Sequence, residues 1–205
     1  MTVSFPFKVL KIIMDDRKEK KSTNSKTNFK SSSDTELLQA GELLFQKEDS
    51  EFKIFYNSFL TDKKNFLFEN QDLLEKYENF ELDKLKAIEV IYIFGDNNQK
   101  AWMTDWKGEE NEGEIENFLE NKLQMKTDWP NVNKLRKGAN KENDGEFIVD
   151  LLKSIDQDLK PIGKKLIFFD LGWDAYVYTA IERSSQKTLT DKFGTLFHGT
   201  EKLIK

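Results

Sequence analysis

The chain has 205 residues, of which 38% are hydrophobic and 34% charged, and it contains 17 Phe, 5 Tyr and 4 Trp. This length and apolar content predict one main domain with a substantial core. Cysteine is absent, which excludes disulfides, thiolate nucleophiles and zinc sites built on sulfur. The single histidine, His198, excludes a two-histidine metal site within one chain, and its glycine and aromatic neighbours predict a partly exposed loop or strand end.

Charge is distributed unevenly along the chain. Residues 1–32 hold eight Lys or Arg against three Asp or Glu, a net charge of +5, whereas residues 33–205 hold 24 against 34, a net charge of −10. We predict a basic, polar and partly flexible segment over residues 1–32 and a single acidic domain over residues 33–205. An acidic domain is expected to repel nucleic acid and anionic membranes and to attract basic partners. No apolar run near the start approaches the roughly 18 residues that span a bilayer, so we expect a cytoplasmic protein.

The first half of the acidic domain has the periodicity of helices. Ser33 and Glu36 form a capping-box pattern at a helix start. Apolar residues then recur at steps of three, four and seven, which predicts one helix face with a break near Asp49. The residues of this face are Leu37, Gly41, Leu44, Phe45, Phe52, Phe55, Tyr56 and Phe59. A further helical run is predicted around Leu73 and Tyr77.

Alternating side chains then predict two β-hairpins. In the first, residues 88–94 form a strand, the Gly-Asp-Asn-Asn sequence of residues 95–98 forms the turn, and residues 101–106 form the returning strand. Trp102, Thr104 and Trp106 are expected on one face of that strand. The second hairpin joins residues 166–169 to residues 176–181.

Helices are predicted between and around the hairpins. Residues 112–123 form one helix with Ile115, Phe118 and Leu119 inward, and a polar connection containing Trp129 and Pro130 follows. The next helix starts near Asn143 or Asp144, buries Phe147, Leu151, Leu152, Ile155 and Leu159, and stops at Pro161. Beyond Ser184 we expect a helical turn and a final edge strand. The fold class is therefore α+β, with a helical N-terminal half and two hairpins in a mixed or antiparallel sheet covered by helices on one face.

Two tryptophan-bearing segments, residues 104–110 and 170–176, each follow a short apolar run and place carboxylates beside a large aromatic side chain. Aromatic side chains anchor protein interfaces, and carboxylates raise the association rate with basic partners. We predict a non-catalytic module that binds a basic protein, for example a toxin. The predicted contact residues are Asp105, Trp106, Glu109, Glu110, Trp173, Asp174 and Tyr176.

The order of these elements resembles an uncharacterised bacterial domain family. The resemblance covers roughly residues 36–181 and includes Gly95-Asp96, Asp105-Trp106-Lys107 with Glu109 and Glu110, and residues 171–176. That family has no assigned activity, so the resemblance implies a fold order and no chemistry. The acidic α+β build is also similar in general character to bacterial immunity proteins that neutralise toxins.

A magnesium-dependent nuclease is the alternative hypothesis. Nucleases of the PD-(D/E)XK type place one acidic residue on a strand and an acidic-X-Lys triplet on the next strand, so that two carboxylates hold Mg²⁺ and the lysine orients water. Asp96, Asp105 and Lys107 would take these roles. Against this hypothesis, turn geometry already explains Asp96, acidic-X-Lys triplets arise readily by chance in so charged a chain, and an acidic domain lacks the basic face that a nucleic-acid enzyme needs.

Two further interpretations of the tryptophan segments remain open. A tryptophan beside an aspartate is a suitable platform for a sugar, although nothing in the sequence fixes two carboxylates across a cleft as a glycosidase requires. In a purely structural interpretation, Trp106 and Trp173 pack under their turns, Lys107 pairs with a carboxylate and Asp174 caps the Gly172 turn. The sequence therefore assigns no catalytic residue, no metal ligand and no cofactor.

Overall fold

A computed structural model describes residues 33–46, 49–77, 80–138 and 145–203. In this part of the chain, a four-stranded sheet lies between two layers of helices. The segment predicted over residues 1–32 lies outside the described residues. Among the residues described, no helix is both long enough and apolar enough to cross a membrane.

Helices dominate the described residues, and the strands found there lie between Trp102 and His198. The first helices are α1 (Asp34–Leu44), α2 (Asp49–Thr61), α3 (Lys63–Glu69), α4 (Gln71–Leu74) and α5 (Ala87–Asn97). Strand β1 (Trp102–Asp105) precedes α6 (Glu114–Leu123), α7 (Pro130–Gly138) and α8 (Gly145–Leu159). The chain continues through β2 (Lys164–Phe169), β3 (Ala175–Glu182), α9 (Arg183–Phe193) and β4 (Phe197–His198). The predicted α+β class is confirmed.

The sheet has the strand order β1-β3-β2-β4, and all of its pairs are antiparallel. Strand β3 lies in the interior, where it pairs with β1 on one side and β2 on the other. Its register places Tyr178 opposite Trp102 and Ala175 opposite Asp105. The predicted hairpin of β2 and β3 is confirmed, and so is the final edge strand, here β4. The predicted helical turn after β3 is instead the longer helix α9.

Each face of the sheet carries its own hydrophobic core. Successive side chains of a strand point to opposite faces, so β2 and β3 divide their residues between the two cores. Ile167, Phe169, Val177 and Ile181 belong to the first core, which α1–α5 and α9 cover. Leu166, Phe168, Tyr178 and Ala180 belong to the second core, which α6–α8 cover. The prediction that helices cover only one face is therefore wrong.

The first core is rich in phenylalanine rings. Phe45, Phe52 and Phe94 form a triangle with ring centroids 5.3–5.4 Å apart. The predicted capping box is confirmed, since the Glu36 carboxylate accepts the backbone N–H of Ser33 at 2.8 Å and the Ser33 hydroxyl accepts the backbone N–H of Glu36 at 3.3 Å. The helical face predicted from Leu37 to Phe59 is buried except for Phe55, which is half-buried.

The strand predicted over residues 88–94 is wrong, because this segment forms α5. Its β-branched side chains favour a strand, but α5 is buried almost all round, so its apolar residues show no single helical face in the sequence. A cap at its start is visible instead, since the Glu89 carboxylate accepts the backbone N–H of Lys86 at 2.7 Å. Packing on all sides overrides the local strand preference.

The first predicted hairpin is consequently wrong as well. Gly95 and Asp96 lie inside the last turn of α5, Asn98 is its C-cap, and Gln99 takes a positive φ of 55°. Strand β1 forms near its predicted position but pairs with β3, which lies more than 70 residues further along the chain. The predicted alternation within β1 is confirmed for Trp102 and Thr104, because Trp102 packs on the second core and Thr104 bonds to Tyr178 of that core.

The polar connection predicted around Trp129 and Pro130 is wrong in its second part, because residues Pro130–Gly138 form helix α7. Pro130 occupies its first position, where a missing backbone N–H costs nothing. The buried Asp158 carboxylate of α8 accepts the backbone N–H groups of Asn131 and Val132 at 3.0–3.1 Å. A carboxylate from a neighbouring helix thus caps the start of α7, and the local sequence cannot reveal such a cap.

Replacing Gly41 with alanine is expected to destabilise the protein. A Cβ atom at Gly41 would lie 1.9 Å from the buried ring of Phe52. Overpacking of this kind costs about 1–3 kcal/mol, which exceeds the ~1 kcal/mol that alanine gains over glycine inside a helix. Urea unfolding should show a lower free energy of unfolding for Gly41→Ala.

Two comparisons test this interpretation. Gly138, the last residue of α7, has no atom within 4 Å of its added Cβ, so Gly138→Ala should change the free energy of unfolding by less than about 0.5 kcal/mol. In a Phe52→Leu background the Gly41→Ala change should cost less, since the ring that it meets is gone. An equal cost in both backgrounds would contradict the proposed clash.

Candidate functional site

The two tryptophan segments meet at one end of the sheet. Asp105 ends β1 and pairs with Ala175, the first residue of β3, while residues 170–174 form the loop between β2 and β3 at the same end. We call the surface formed by residues 105–110 and 170–176 the sheet-end surface. Two segments separated by some 60 residues in sequence therefore form one continuous candidate site.

The turn of residues 105–108, which follows β1, directs the Trp106 side chain toward solvent. The Asp105 carboxylate accepts the backbone N–H of Lys107 at 2.8 Å, and the Asp105 carbonyl accepts the backbone N–H of Gly108 at 3.0 Å. Gly108 has a φ of +118°, which a side chain would disfavour. Trp106 is 40% exposed, and the Lys107 ammonium lies 5.4 Å from its ring centroid. The turn thus presents an aromatic side chain beside a carboxylate.

Glu109, predicted to contact a partner, instead organises the loop from inside. Its side chain is 5% exposed and accepts a hydrogen bond from the Arg136 guanidinium at 2.7 Å. Its other oxygen accepts the backbone N–H of Ile115 at 3.1 Å, near the start of α6. Arg136 also donates to Glu116 at 2.8 Å and is itself 12% exposed. Burial raises the pKa of Glu109, although the hydrogen bonds from Arg136 and Ile115 oppose that shift.

The exposed acidic residues of the sheet-end surface are Glu110, Asp170 and Asp174. Glu110 lies in a loop that Glu114 holds, because the Glu114 carboxylate accepts the backbone N–H of Glu110 at 3.1 Å. Tyr176 is half-buried against the second core, and burial, together with the negative charge of Asp174, raises the pKa of its hydroxyl. Glu110 and Asp174 are thus exposed at this surface, whereas Tyr176 is only partly accessible.

Trp173 is placed differently from Trp106. It packs edge-on against Tyr92 of α5 and against Phe80, with ring centroids 5.3 Å and 5.2 Å apart. This contact ties the loop of residues 170–174 to the first core. Among the seven predicted contact residues, Trp173 and Glu109 therefore support the surface, and the others are available at it.

Asp96 lies on helix α5, and neither on a strand, as the nuclease hypothesis requires, nor in the predicted hairpin turn. Its carboxylate accepts a hydrogen bond from the Tyr77 hydroxyl at 2.6 Å. Burial raises its pKa, against the lowering effects of Tyr77, Lys76 and Tyr92. In residues 33–46, 49–77, 80–138 and 145–203, no group of three or more His, Asp or Glu side chains is arranged to hold a metal ion. The paired-strand arrangement behind that hypothesis is thus missing from the described chain.

A cavity of about 270 Å³ opens beside the sheet-end surface. Asp170, Trp173 and Tyr176 line it from the loop and β3, and His198 and Lys202 line it from the last segment of the chain. His198 is half-buried at the end of β4, as predicted, and stacks on Phe168. Sequence reasoning missed this cavity because its walls come from segments that only the sheet brings together.

Sequence reasoning also missed Arg136. The chain has three arginines among its 32 basic residues. Arginine suits buried ion pairs better than lysine because its planar guanidinium binds carboxylates at two points. A lone arginine in a lysine-rich helix is therefore a weak signal of a buried partner, although it could not identify Glu109 and Glu116.

Replacing Arg136 with methionine is expected to destabilise the protein by about 3–5 kcal/mol, because two buried carboxylates lose their counter-charge. The exposed neighbour Lys137 offers a matched control, and Lys137→Met should change the free energy of unfolding by less than about 0.5 kcal/mol. Adding Glu109→Gln and Glu116→Gln to Arg136→Met should recover part of the loss in denaturant unfolding. A loss that neutral glutamines fail to reduce would indicate packing and not charge.

The raised pKa of Asp96 predicts a specific pH dependence of stability. The folded state holds this proton more tightly than the unfolded state, so the contribution of Asp96 is present below its ordinary pKa of 3.8 and is lost as pH rises through the raised value. Asp96→Asn removes the titration and keeps an acceptor for Tyr77. Between pH 4 and pH 8, wild type should lose stability relative to Asp96→Asn as pH rises. The prediction is contradicted if the free energies of unfolding of wild type and Asp96→Asn change with pH in the same way across this range.

Comparison with known proteins identifies the family of the chain. The family described as "Domain of unknown function (DUF6630)" matches residues 36–203, a range that includes both tryptophan segments. No curated protein and no solved structure is similar enough to match. The predicted resemblance to an uncharacterised domain family is confirmed. Since the match spans most of its length, the chain belongs to the DUF6630 family of domains of unknown function.

Proposed function

We propose that the protein is a non-catalytic binding module that engages a basic protein partner through the sheet-end surface. The observation that carries this proposal is the register of β1 and β3, which joins the two tryptophan segments into one surface. That surface presents the exposed Trp106 together with the carboxylates of Asp105, Glu110, Asp170 and Asp174, and Lys107 is its one basic residue. An aromatic anchor among carboxylates suits a cationic partner.

The sheet-end surface is held in place by contacts behind it. Glu109 fixes the first segment to Arg136 and α6, and Trp173 fixes the second segment to the first core. A surface that is already ordered loses little conformational freedom when it binds, so more of the contact energy remains as affinity. The buried side chain of Glu109 and the half-buried ring of Trp173 thus support the proposal indirectly, by keeping the exposed residues in one arrangement.

Charge supports a basic partner over other classes. Residues 33–205 carry a net charge of −10, which steers cationic proteins toward the domain and nucleic acid away from it. A basic toxin neutralised by an immunity-like protein is one partner of this kind. The two proteins would bind in the bacterial cytoplasm, the compartment expected from the sequence. Binding driven by exposed carboxylates is expected to weaken as salt rises.

Affinity capture with matched variants tests this proposal. The tagged protein, expressed in its own cells, should retain a basic protein in stoichiometric amount at low salt and lose it as salt rises. Trp106→Ala and the double variant Glu110→Gln/Asp174→Asn should retain at least about tenfold less of that protein, since hot-spot side chains contribute 2 kcal/mol or more. Trp106 is exposed enough that Trp106→Ala should leave the unfolding midpoint nearly unchanged.

The control is the double variant Glu69→Gln/Asp72→Asn, which removes the same charge from exposed positions on α3 and α4. It should retain the partner as wild type does. Equal retention by all variants would exclude the sheet-end surface, and equal loss from both double variants would indicate a nonspecific charge effect. If the wild-type protein is recovered with no other protein bound to it, the binding-module proposal is contradicted.

A further inference from the structure

We infer that the cavity beside the sheet-end surface is a socket for one arginine side chain of the partner, an inference that rests on the function proposed above. The cavity lies at the ends of β2 and β3, next to the loop of residues 170–174, so a protein docked on the sheet-end surface covers its mouth. The partner would therefore present an arginine guanidinium group at this interface.

The size of the cavity fits a side chain better than a cofactor. Its volume of about 270 Å³ falls just below the range of roughly 300–1,000 Å³ that holds drug-sized ligands. Phe168, Leu171 and Leu203 contribute apolar lining. Such a lining accommodates the methylene groups of a long side chain, which bury their carbon atoms while keeping a polar head.

The polar and charged residues that line the cavity include one carboxylate residue, Asp170. Asp170 is exposed, and its carboxylate accepts hydrogen bonds only. The Nδ1 atom of His198 is engaged with the carbonyl oxygen of Gly199 at 2.9 Å. A guanidinium group, which only donates, is complementary to the Asp170 carboxylate.

Lys202 also lines the cavity but does not make it an anion site. Its ammonium donates to the carbonyl oxygen of Gly194 at 2.8 Å, at the C-terminal end of α9. A helix C-terminus carries partial negative charge, so it stabilises this ammonium where it lies. An anionic ligand would in addition face Asp170 and the neighbouring Asp174, which repel it.

Aromatic lining favours arginine over lysine. Trp173 and Tyr176 both line the cavity, and Trp173 is held by Tyr92 and Phe80. A planar guanidinium stacks on aromatic rings and binds a carboxylate with two parallel hydrogen bonds, whereas an ammonium is a compact, strongly hydrated charge. A cavity lined by aromatic rings and one carboxylate residue is therefore complementary to arginine.

Titration of the ¹⁵N-labelled full-length protein with N-acetyl-arginine amide tests the socket directly. Saturable shifts are expected in the amides of residues 170–173 and 198–203. N-acetyl-citrulline amide has nearly the same shape without the charge and should bind at least about tenfold more weakly, because hydrogen bonds to charged groups are the stronger ones. Equal binding of both compounds, tighter binding of N-acetyl-glutamate amide, or shifts elsewhere only would overturn the inference.

Two variants in one loop separate a specific contact from the general acidic field. Asp170→Asn and Asp174→Asn remove the same charge, but Asp170 lines the cavity and Asp174 is not among its lining residues. Asp170→Asn should weaken binding of N-acetyl-arginine amide at least about tenfold, whereas Asp174→Asn should weaken it less than about threefold. Equal effects of the two substitutions would overturn the socket.

The captured partner distinguishes failure of the socket from failure of the proposed function. A partner that is lost from both Trp106→Ala and Asp170→Asn supports the socket. A partner that is lost from Trp106→Ala but kept by Asp170→Asn overturns the socket and leaves the binding module standing. The absence of any captured partner, together with no binding of N-acetyl-arginine amide, overturns both.

Discussion

Strand β3 is paired along both edges and buried on both faces, and the candidate surface depends on this double constraint. Val177 and Ile181 are committed to the first core, and Tyr178 and Ala180 to the second. A shift of one residue would exchange these sets and place each in the wrong core, so the register is strongly fixed. The same register places Asp105 opposite Ala175. The site is thus positioned by the packing of residues that take no part in it.

Desolvation separates the carboxylates of this acidic chain into two groups. Glu109 and Asp158 are buried and accept hydrogen bonds from a guanidinium or from backbone N–H groups. A charge inside a protein is tolerated only with such partners. Exposed carboxylates such as Asp170 and Asp174 have no such requirement and remain available for recognition. A sequence motif does not distinguish buried carboxylates from exposed ones. Glu109 was therefore predicted to contact a partner, although its side chain is buried.

The spacing of apolar residues in the sequence predicted the helices that bury one face. It failed for helices that are buried on all sides or are largely polar. α1, α2, α6 and α8 each present one apolar stripe, so most of their core residues were predicted from the sequence. Phe147 of α8 is only half-buried, however, and the buried Ile148 and Val149 beside it were not predicted. α5 is buried almost all round and looks like a strand, while α7 is largely polar and depends on Asp158 of another helix. The pairing of β1 with β3 is likewise invisible locally, because the two strands are far apart in sequence. The sequence singled out the two tryptophan segments, but their junction and the cavity could not be predicted, since both arise from tertiary contacts.

The two tryptophans show how similar motifs acquire opposite roles. Trp106 follows a strand whose last residue, Asp105, fixes a turn through its own carboxylate, so the ring is turned outward. Trp173 lies in a loop that crosses the end of the first core, where Tyr92 and Phe80 provide ring contacts. Because Trp173 also lines the cavity, any ligand there contacts a side chain that is anchored on α5. In the proposed function, recognition at the cavity would therefore depend on the aromatic packing of the first core, whereas recognition through Trp106 would depend only on its turn.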